Sequence, residues 1–264
     1  MFINKSYRPI IVFGIHGLGG HSGWFKNLAD ELKKYSVDFV AYDLPGFGQN
    51  HMLGTQKSQY VKGHIDSYKE WLEFVQTKYE DLKHNNPASK IVILGHSLGA
   101  VIASCLPQIY KGDLLVLSVP GFKGAGKTFD PIFTITTLKK IFIDKIILGN
   151  DVFVEMPVSE KSKQTPAFTD PLRVGTVTQT LLYEILKMGA QAQVQIIKKP
   201  TPCFMVQVEN DEVVDNATQD RIYEKLTSTH KQKRTYIGTD HDWIWDKKVT
   251  HLVTQDLIEW AERF

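Results

Sequence analysis

Gly95-His96-Ser97-Leu98-Gly99, directly after the apolar run Ile91-Val92-Ile93-Leu94, decides how this chain reads. A β-rich run, a GxSxG turn and then the helix-compatible Ala100-Val101-Ile102-Ala103-Ser104-Cys105-Leu106 form a strand, a sharp turn and a helix. In such a nucleophile elbow the serine takes a strained backbone conformation that lifts its hydroxyl above the sheet edge. The two glycines remove side chains that would collide with the neighbouring strand and helix.

A serine hydroxyl is a weak nucleophile until a base takes its proton and an acid orients that base. After an elbow of this kind the partners follow in the order acid, then histidine, each on a loop after a later strand. Cys203-Phe204-Met205-Val206-Gln207-Val208 reads as a buried strand, and the polar turn Glu209-Asn210-Asp211-Glu212 follows it, making Asp211 the first-choice acid. Asp215 is its rival, and Asp43, which precedes the serine, is weaker. Arg234-Thr235-Tyr236-Ile237 reads as a short strand leading into Gly238-Thr239-Asp240-His241-Asp242, so His241 is the matching base. Among the other histidines, His21, His51, His64, His84, His230 and His251 sit in polar or helical surroundings and read as structural or solvated. His96 occupies the variable position of the elbow and is expected to pack or hydrogen-bond beside the serine.

An oxyanion developing on the substrate needs two donors. The main-chain N–H of Leu98, at the positive end of the helix after the serine, is one. The other is expected from His16-Gly17-Leu18-Gly19-Gly20, right after the apolar strand Ile10–Ile15, where a sharp turn lets the N–H of Leu18 face the serine. A phosphate-binding role for this loop is weaker, because it lacks the Lys-Ser/Thr of a P-loop and does not fit GxGxxG.

His16-Gly17-Leu18-Gly19-Gly20-His21-Ser22, Asp43-Leu44-Pro45-Gly46-Phe47-Gly48-Gln49, the elbow at Ser97, Asp170-Pro171-Leu172, Asp211 and His241 together resemble the α/β-hydrolase superfamily, within it the monoacylglycerol lipase and lysophospholipase branch. The likeness covers nearly the whole chain. It implies a carboxylic ester hydrolase and carries the two oxyanion donors over to Leu18 and Leu98. One departure stands out: in the turn before the acid, where the family usually has Gly, this chain has Glu209. That implies a different turn and an extra carboxylate near the acid.

The global numbers agree with one enzyme domain. A chain of 264 residues with 42% hydrophobic content can bury a substantial core. With a net charge of +2 and basic residues interspersed with acids, no nucleic-acid partner is expected. The first nine residues lack the apolar core of a signal peptide and no stretch reaches the length of a membrane span, so the expected location is cytoplasmic. Cys105 and Cys203 read as two free, buried thiols. No metal or organic cofactor is implied.

Strands at about 9–15, 37–42, 90–95, 113–118, 203–208 and 233–237, alternating with amphipathic helices, predict an α/β class: a mostly parallel sheet with helices on both faces. Trp24, Phe25, Leu28, Leu32 and Tyr35 mark one helix face; Ile65, Tyr68, Trp71, Leu72, Val75, Tyr79 and Leu82 mark another. After Val119-Pro120-Gly121 the alternation stops, and Pro131, Pro157, Pro166 and Pro171 interrupt a helical, irregular stretch until strands resume near 200. The expected organisation is a core of residues 1–121 and 191–264 carrying an inserted helical cap, 122–190. Ile132, Phe133, Ile135, Leu138, Ile141, Phe142, Ile143, Ile146, Ile147 and Leu148, interrupted by Lys139, Lys140 and Lys145, form its apolar part. Core packing accounts for most of this. An acyl-binding wall, or an edge making transient contact with a lipid surface, is the sharper reading.

The expected chemistry is hydrolysis of a lipid-like ester through an acyl-enzyme on Ser97. The alternatives are an aminopeptidase-like amide hydrolase of the same fold, which needs an anchor for an α-amino group, and a ligand-binding relative without turnover.

Overall fold

A computed structural model describes residues 9–50, 61–125, 153–156 and 162–264 of the chain. The apolar segment 132–148, expected as part of a cap, and His51 lie outside the described residues. The strands are β1 (Ile10–Ile15), β2 (Asp38–Ala41), β3 (Lys90–His96), β4 (Leu114–Ser118), β7 (Cys203–Val208) and β8 (Lys231–Tyr236), of which β1, β3, β4 and β7 are built on β-branched and aliphatic runs. They assemble in the order β2-β1-β3-β4-β7-β8, every neighbouring pair parallel. The pair β5 (Phe153–Glu155) and β6 (Thr176–Thr178) forms a separate antiparallel ribbon.

The central strands β1, β3, β4 and β7 are buried along their whole length, as a parallel sheet covered on both faces requires. Their side chains sort with period two. Ile11, Phe13, Ile15, Ile91, Ile93, Leu115 and Leu117 face one core, with Trp71, Val75 and Tyr79 of helix α2 (Tyr68–Asn85) and Val101 and Ile102 of α3 (Leu98–Cys105). Leu181, Met188 and Ile196 of α4 (Gln179–Ile197) and Ile222 of α5 (Asn216–Lys225) join the same core. Ile10, Val12, Val92, Leu94, Leu114 and Val116 face the other, with Leu28 and Leu32 of α1 (Lys26–Lys33) and Val253, Leu257 and Trp260 of α6 (Lys247–Ala261). The predicted α/β class is the observed one.

Helix starts follow local chemistry. Ser67 and Glu70 form a capping box on α2, and Asp246 accepts the N–H groups of Lys248 and Val249 at the start of α6. The last strand begins at Lys231, two residues before its expected start at 233. Its first residues, Lys231-Gln232-Lys233, are polar and partly exposed on the sheet edge, so they carry no apolar signal.

The segment between β4 and β7 rests on the core partly through main-chain hydrogen bonds. Val174 N–H donates to the Gly19 carbonyl (2.9 Å), Thr178 N–H to Gly63 (2.9 Å), and Ala125 N–H to Val213 (2.9 Å). Helix α4 runs across position 190 and reaches Ile197. No helix among the described residues is long and apolar enough to cross a membrane.

Candidate active site

Ser97 sits where β3 ends and α3 begins, with φ 55° and ψ −114°, a left-handed conformation that a residue with a Cβ adopts only when its surroundings impose it. Ser97 N–H donates to Ser118 O (2.9 Å), while Ser97 O accepts the N–H groups of Ala100 (3.1 Å) and Gly121 (3.2 Å). The glycines are required by contact. A Cβ on Gly95 would lie 2.5 Å from the Ala100 main chain, and one on Gly99 would overlap the Ile15 carbonyl oxygen and lie 2.6 Å from its carbon.

The three residues singled out in the sequence converge here. Ser97 Oγ lies 2.9 Å from His241 Nε2, and His241 Nδ1 lies 2.9 Å from Asp211 Oδ2. The Asp211 side chain is fully buried, and its Oδ1 accepts the N–H groups of Val213 (2.8 Å) and Val214 (2.9 Å). With Asp211 accepting, Nδ1 carries the ring proton and Nε2 is free to accept from the serine hydroxyl. Burial disfavours the His241 imidazolium, but the charge of Asp211, its hydrogen bond, and the charges of Asp242 and Asp240 outweigh it and hold His241 above its ordinary value.

Asp215 is elsewhere: it caps α5, accepting from the Thr218 N–H (3.0 Å) and hydroxyl (2.5 Å). Asp43 accepts from Ser22 N–H, Ser22 Oγ and Gln49 N–H, bonds that outweigh its burial and keep its carboxyl below the usual range. Glu209 is exposed and its φ is not positive, so the turn before Asp211 needs no glycine. Its N–H donates to Tyr236 O (3.0 Å), and its carbonyl accepts from the Asn216 side chain.

The first loop closes against the serine. A Cβ on Gly17 would stand 3.2 Å from Ser97 Cβ. Gly20 N–H donates to Gly17 O (3.2 Å), with Gly19 at φ 76°, so Leu18 and Gly19 are the middle of a tight turn whose third position requires glycine. His16 props this turn from below. Leu44 N–H donates to its Nε2 (3.0 Å), so Nδ1–H donates to Gly17 O (2.8 Å), and burial lowers its pKa to about 4, leaving the ring neutral. As the first residue of α3, Leu98 has an N–H with no intrahelical acceptor. Leu18 and Leu98 both line the cavity beside Ser97.

His96 is buried beside the serine, as its place in the elbow implies. Its ring lies 5.5 Å from that of His241, and its Nδ1 is 3.2 Å from Ser118 Oγ, which accepts the Trp243 indole N–H (3.0 Å). Burial, then the neighbouring His241, pushes its pKa well below the ordinary range. Among the polar histidines, His21 has a place the sequence did not assign. Its Nε2–H donates to Asp170 Oδ2 (2.8 Å), which also accepts the Trp24 indole N–H (3.2 Å). Cys105 and Cys203 are free and buried, with thiols pushed up to about 12 by desolvation.

A cavity of about 400 Å³ opens over Ser97 and His241, within the range of small-molecule sites. Phe122, Leu182, Ile185, Leu186 and Gly189 form an apolar end, while Trp24, Ala167, Phe168, Arg173 and Asp242 lie among its other lining residues. Such a site pairs an activatable hydroxyl with a positioned base, next to apolar lining residues.

Residues 8–248 match the family described as Serine aminopeptidase, S33. The chain is 29% identical over 115 residues to the monoglyceride lipase homolog of Monkeypox virus, covering 42% of this chain and 39% of that protein. It is 23% identical over 221 residues to lysophospholipase L2 of Escherichia coli (strain K12), covering 77% of this chain and 64% of that one. In both, the match spans less than two thirds of the relative's length. A soluble variant of the Saccharomyces cerevisiae monoglyceride lipase, solved with a substrate analog, superposes with a TM-score of 0.79 at 18% identity, over 98% of this chain and 88% of the other. With the family match spanning nearly the whole chain and the same architecture recurring in that lipase, the chain belongs to the serine aminopeptidase S33 family of α/β-hydrolases.

Proposed function

We propose that this chain is a serine ester hydrolase acting on a lipid-like carboxylic ester, a monoacylglycerol or lysophospholipid, through an acyl-enzyme. The observation that carries this is the unbroken hydrogen-bond line from Ser97 through His241 to Asp211 at the floor of a cavity with an apolar end. Ser97 Oγ attacks the ester carbonyl as His241 Nε2 takes its proton. The oxyanion is held by the N–H groups of Leu18 and Leu98, and His241 returns the proton to the departing alcohol. Water, activated by the same imidazole, then attacks the acyl-serine and releases the fatty acid. The names of the viral and bacterial relatives, a monoglyceride lipase homolog and a lysophospholipase, favour the same substrate class. On this reading residues 122–190 act as a cap over a core of 1–121 and 191–264, and the enzyme works in the cytoplasm.

Fluorophosphonate labelling tests the nucleophile. The wild-type chain labels and hydrolyses medium-chain esters, and Ser97→Ala does neither, with kcat falling by about 10⁶ by analogy with serine proteases. A folded Ser97→Ala protein that keeps more than a few per cent of the activity removes Ser97 from this role.

An aminopeptidase-like activity is the second reading, favoured by the family's own description and by Glu212 and Asp242 on the cavity wall, where a carboxylate would meet an α-ammonium. Turnover of aminoacyl p-nitroanilides in preference to fatty-acyl p-nitrophenyl esters would establish it over the ester reading.

A further inference from the structure

Arg173 is placed as if waiting for an anion. It lines the same cavity as Ser97 and His241, and its guanidinium stands 5.0 Å from the centroid of the Phe168 ring, also on the cavity wall. Among the described residues no carboxylate lies within ion-pair distance of it. The nearest acid in sequence, Asp170, is already occupied: Oδ2 accepts from His21 and Trp24, and Oδ1 accepts the Leu172 N–H (2.8 Å).

The backbone carrying Arg173 is fixed on both sides. Arg173 N–H donates to Asp170 O (3.0 Å), closing a turn that the His21 and Trp24 contacts hold to the core, and the next residue, Val174, donates to the Gly19 carbonyl. Gly19 belongs to the turn that carries Leu18, so the cation is tied to the loop that would hold the oxyanion. Ring stacking and a fixed turn reduce the entropy lost when a guanidinium engages a ligand, and a partly desolvated cation without a counter-ion gains most from one.

Among the described residues, the other charged side chains that line the cavity sit on other loops. Lys123 lies 3.9 Å from Asp215 and is on the side of the Asp211 loop, where Gly124 bridges to Val214; Glu212 belongs to that loop, and Asp242 adjoins His241. The apolar wall, Phe122 with Leu182, Ile185 and Leu186, belongs to the α4 side. A bound amphiphile thus meets apolar residues of α4 and Phe122 for its chain and, on a different stretch of the chain, a cation for its head.

We propose that Arg173 is a specificity residue that binds an anionic group, phosphate or carboxylate, on the substrate, so that the cavity selects anionic over neutral single-chain esters. This rests on the ester hydrolase reading for its chemistry, but its test does not require turnover. The probes are three non-hydrolysable ethers of one chain length: 1-O-dodecylglycerol, its 3-phosphate, and 3-dodecyloxy-2-hydroxypropanoate. Their affinities are measured by calorimetry, below their micelle concentrations, on Ser97→Ala protein with Arg173, Arg173→Lys or Arg173→Gln.

With Arg173 present, at least one anionic ether binds more tightly than the neutral one, and the tighter of the two identifies phosphate or carboxylate as the group read. Arg173→Gln lowers the anionic-to-neutral affinity ratio about ten- to a hundredfold, the range for a charge-assisted hydrogen bond, and Arg173→Lys restores part of it. Neutral binding as tight as anionic binding in the Arg173 protein overturns the proposal, as does an equal loss for all three ligands in Arg173→Gln. Selective binding of the anion by a chain that hydrolyses no ester would leave this site standing and remove the ester hydrolase reading instead.

Discussion

Replacing Asp211 by Asn exchanges one carboxylate oxygen for an amide nitrogen, and the surrounding main chain dictates where that nitrogen goes. Oδ1 of Asp211 receives the N–H groups of Val213 and Val214. If the amide NH₂ took that position, two buried donors would face a third and lose their acceptor, at about 1–3 kcal/mol each. The amide therefore keeps its oxygen toward Val213 and Val214 and turns its NH₂ toward His241 Nδ1. That nitrogen must then accept, the ring proton moves to Nε2, and the imidazole presents a donor to Ser97 in place of a lone pair. The same wrong tautomer in a serine protease costs on the order of 10⁴ in kcat, roughly 5.5 kcal/mol of barrier, and a loss of that size is expected here. The assay is kcat with a medium-chain p-nitrophenyl ester, with folding checked by circular dichroism. Asp215→Asn serves as the comparison, since Asp215 caps α5 and bonds neither Ser97 nor His241, and its replacement alters kcat little. A folded Asp211→Asn protein within tenfold of wild-type kcat, or a larger loss in Asp215→Asn, refutes the assignment of the acid.

Because His241 is held above the ordinary histidine value and must be neutral to accept the serine proton, kcat/KM falls as pH drops through a midpoint above 6.5. A midpoint below 6 in a pH–rate profile from 5 to 9 contradicts this. His96, pushed the other way, stays neutral through that range and adds no second limb. Gly99→Ala drives a Cβ into the Ile15 carbonyl, and overpacking of about 1–3 kcal/mol lowers the melting temperature by roughly 2–10 °C; an unchanged thermal melt shows that the elbow tolerates the methyl. If the wall of Leu182, Ile185 and Leu186 receives an acyl chain, each added methylene raises kcat/KM by up to about fourfold, from ~0.8 kcal/mol of burial, until the pocket ends. Rates independent of chain length from two to twelve carbons exclude that use of the wall.

The elbow was readable because its requirements are local. Gly95 and Gly99 are imposed by atoms within a few residues or on the adjacent strand, and the apolar runs of β3, β4 and β7 have no alternative but burial. The choice between Asp211 and Asp215 was not local in the same way. Both follow β7 within seven residues, and only the helix start at Asn216 gives Asp215 other work. Contacts between distant residues left no periodic trace. His21 and Asp170 are 149 positions apart, and the sequence offers the one as a structural or solvated histidine and the other only as part of the Asp170-Pro171-Leu172 motif, with nothing to pair them. Arg173 had no pattern at all, since its meaning depends on there being no carboxylate around it among the described residues.

The main-chain bonds from Val174, Thr178 and Ala125 to the core have a consequence for how such a molecule can change over generations. Peptide groups are the same whatever side chain they carry. Residues facing the cavity from this segment can therefore be exchanged freely, proline excepted where a donor is needed, without loosening the seat that holds them over the serine. Selectivity is thereby separated from stability. A library randomised at Phe168, Arg173 and Leu182 should yield mostly folded proteins with altered substrate preference, whereas the same diversity applied to Gly95 or Gly99 would yield mostly unfolded ones.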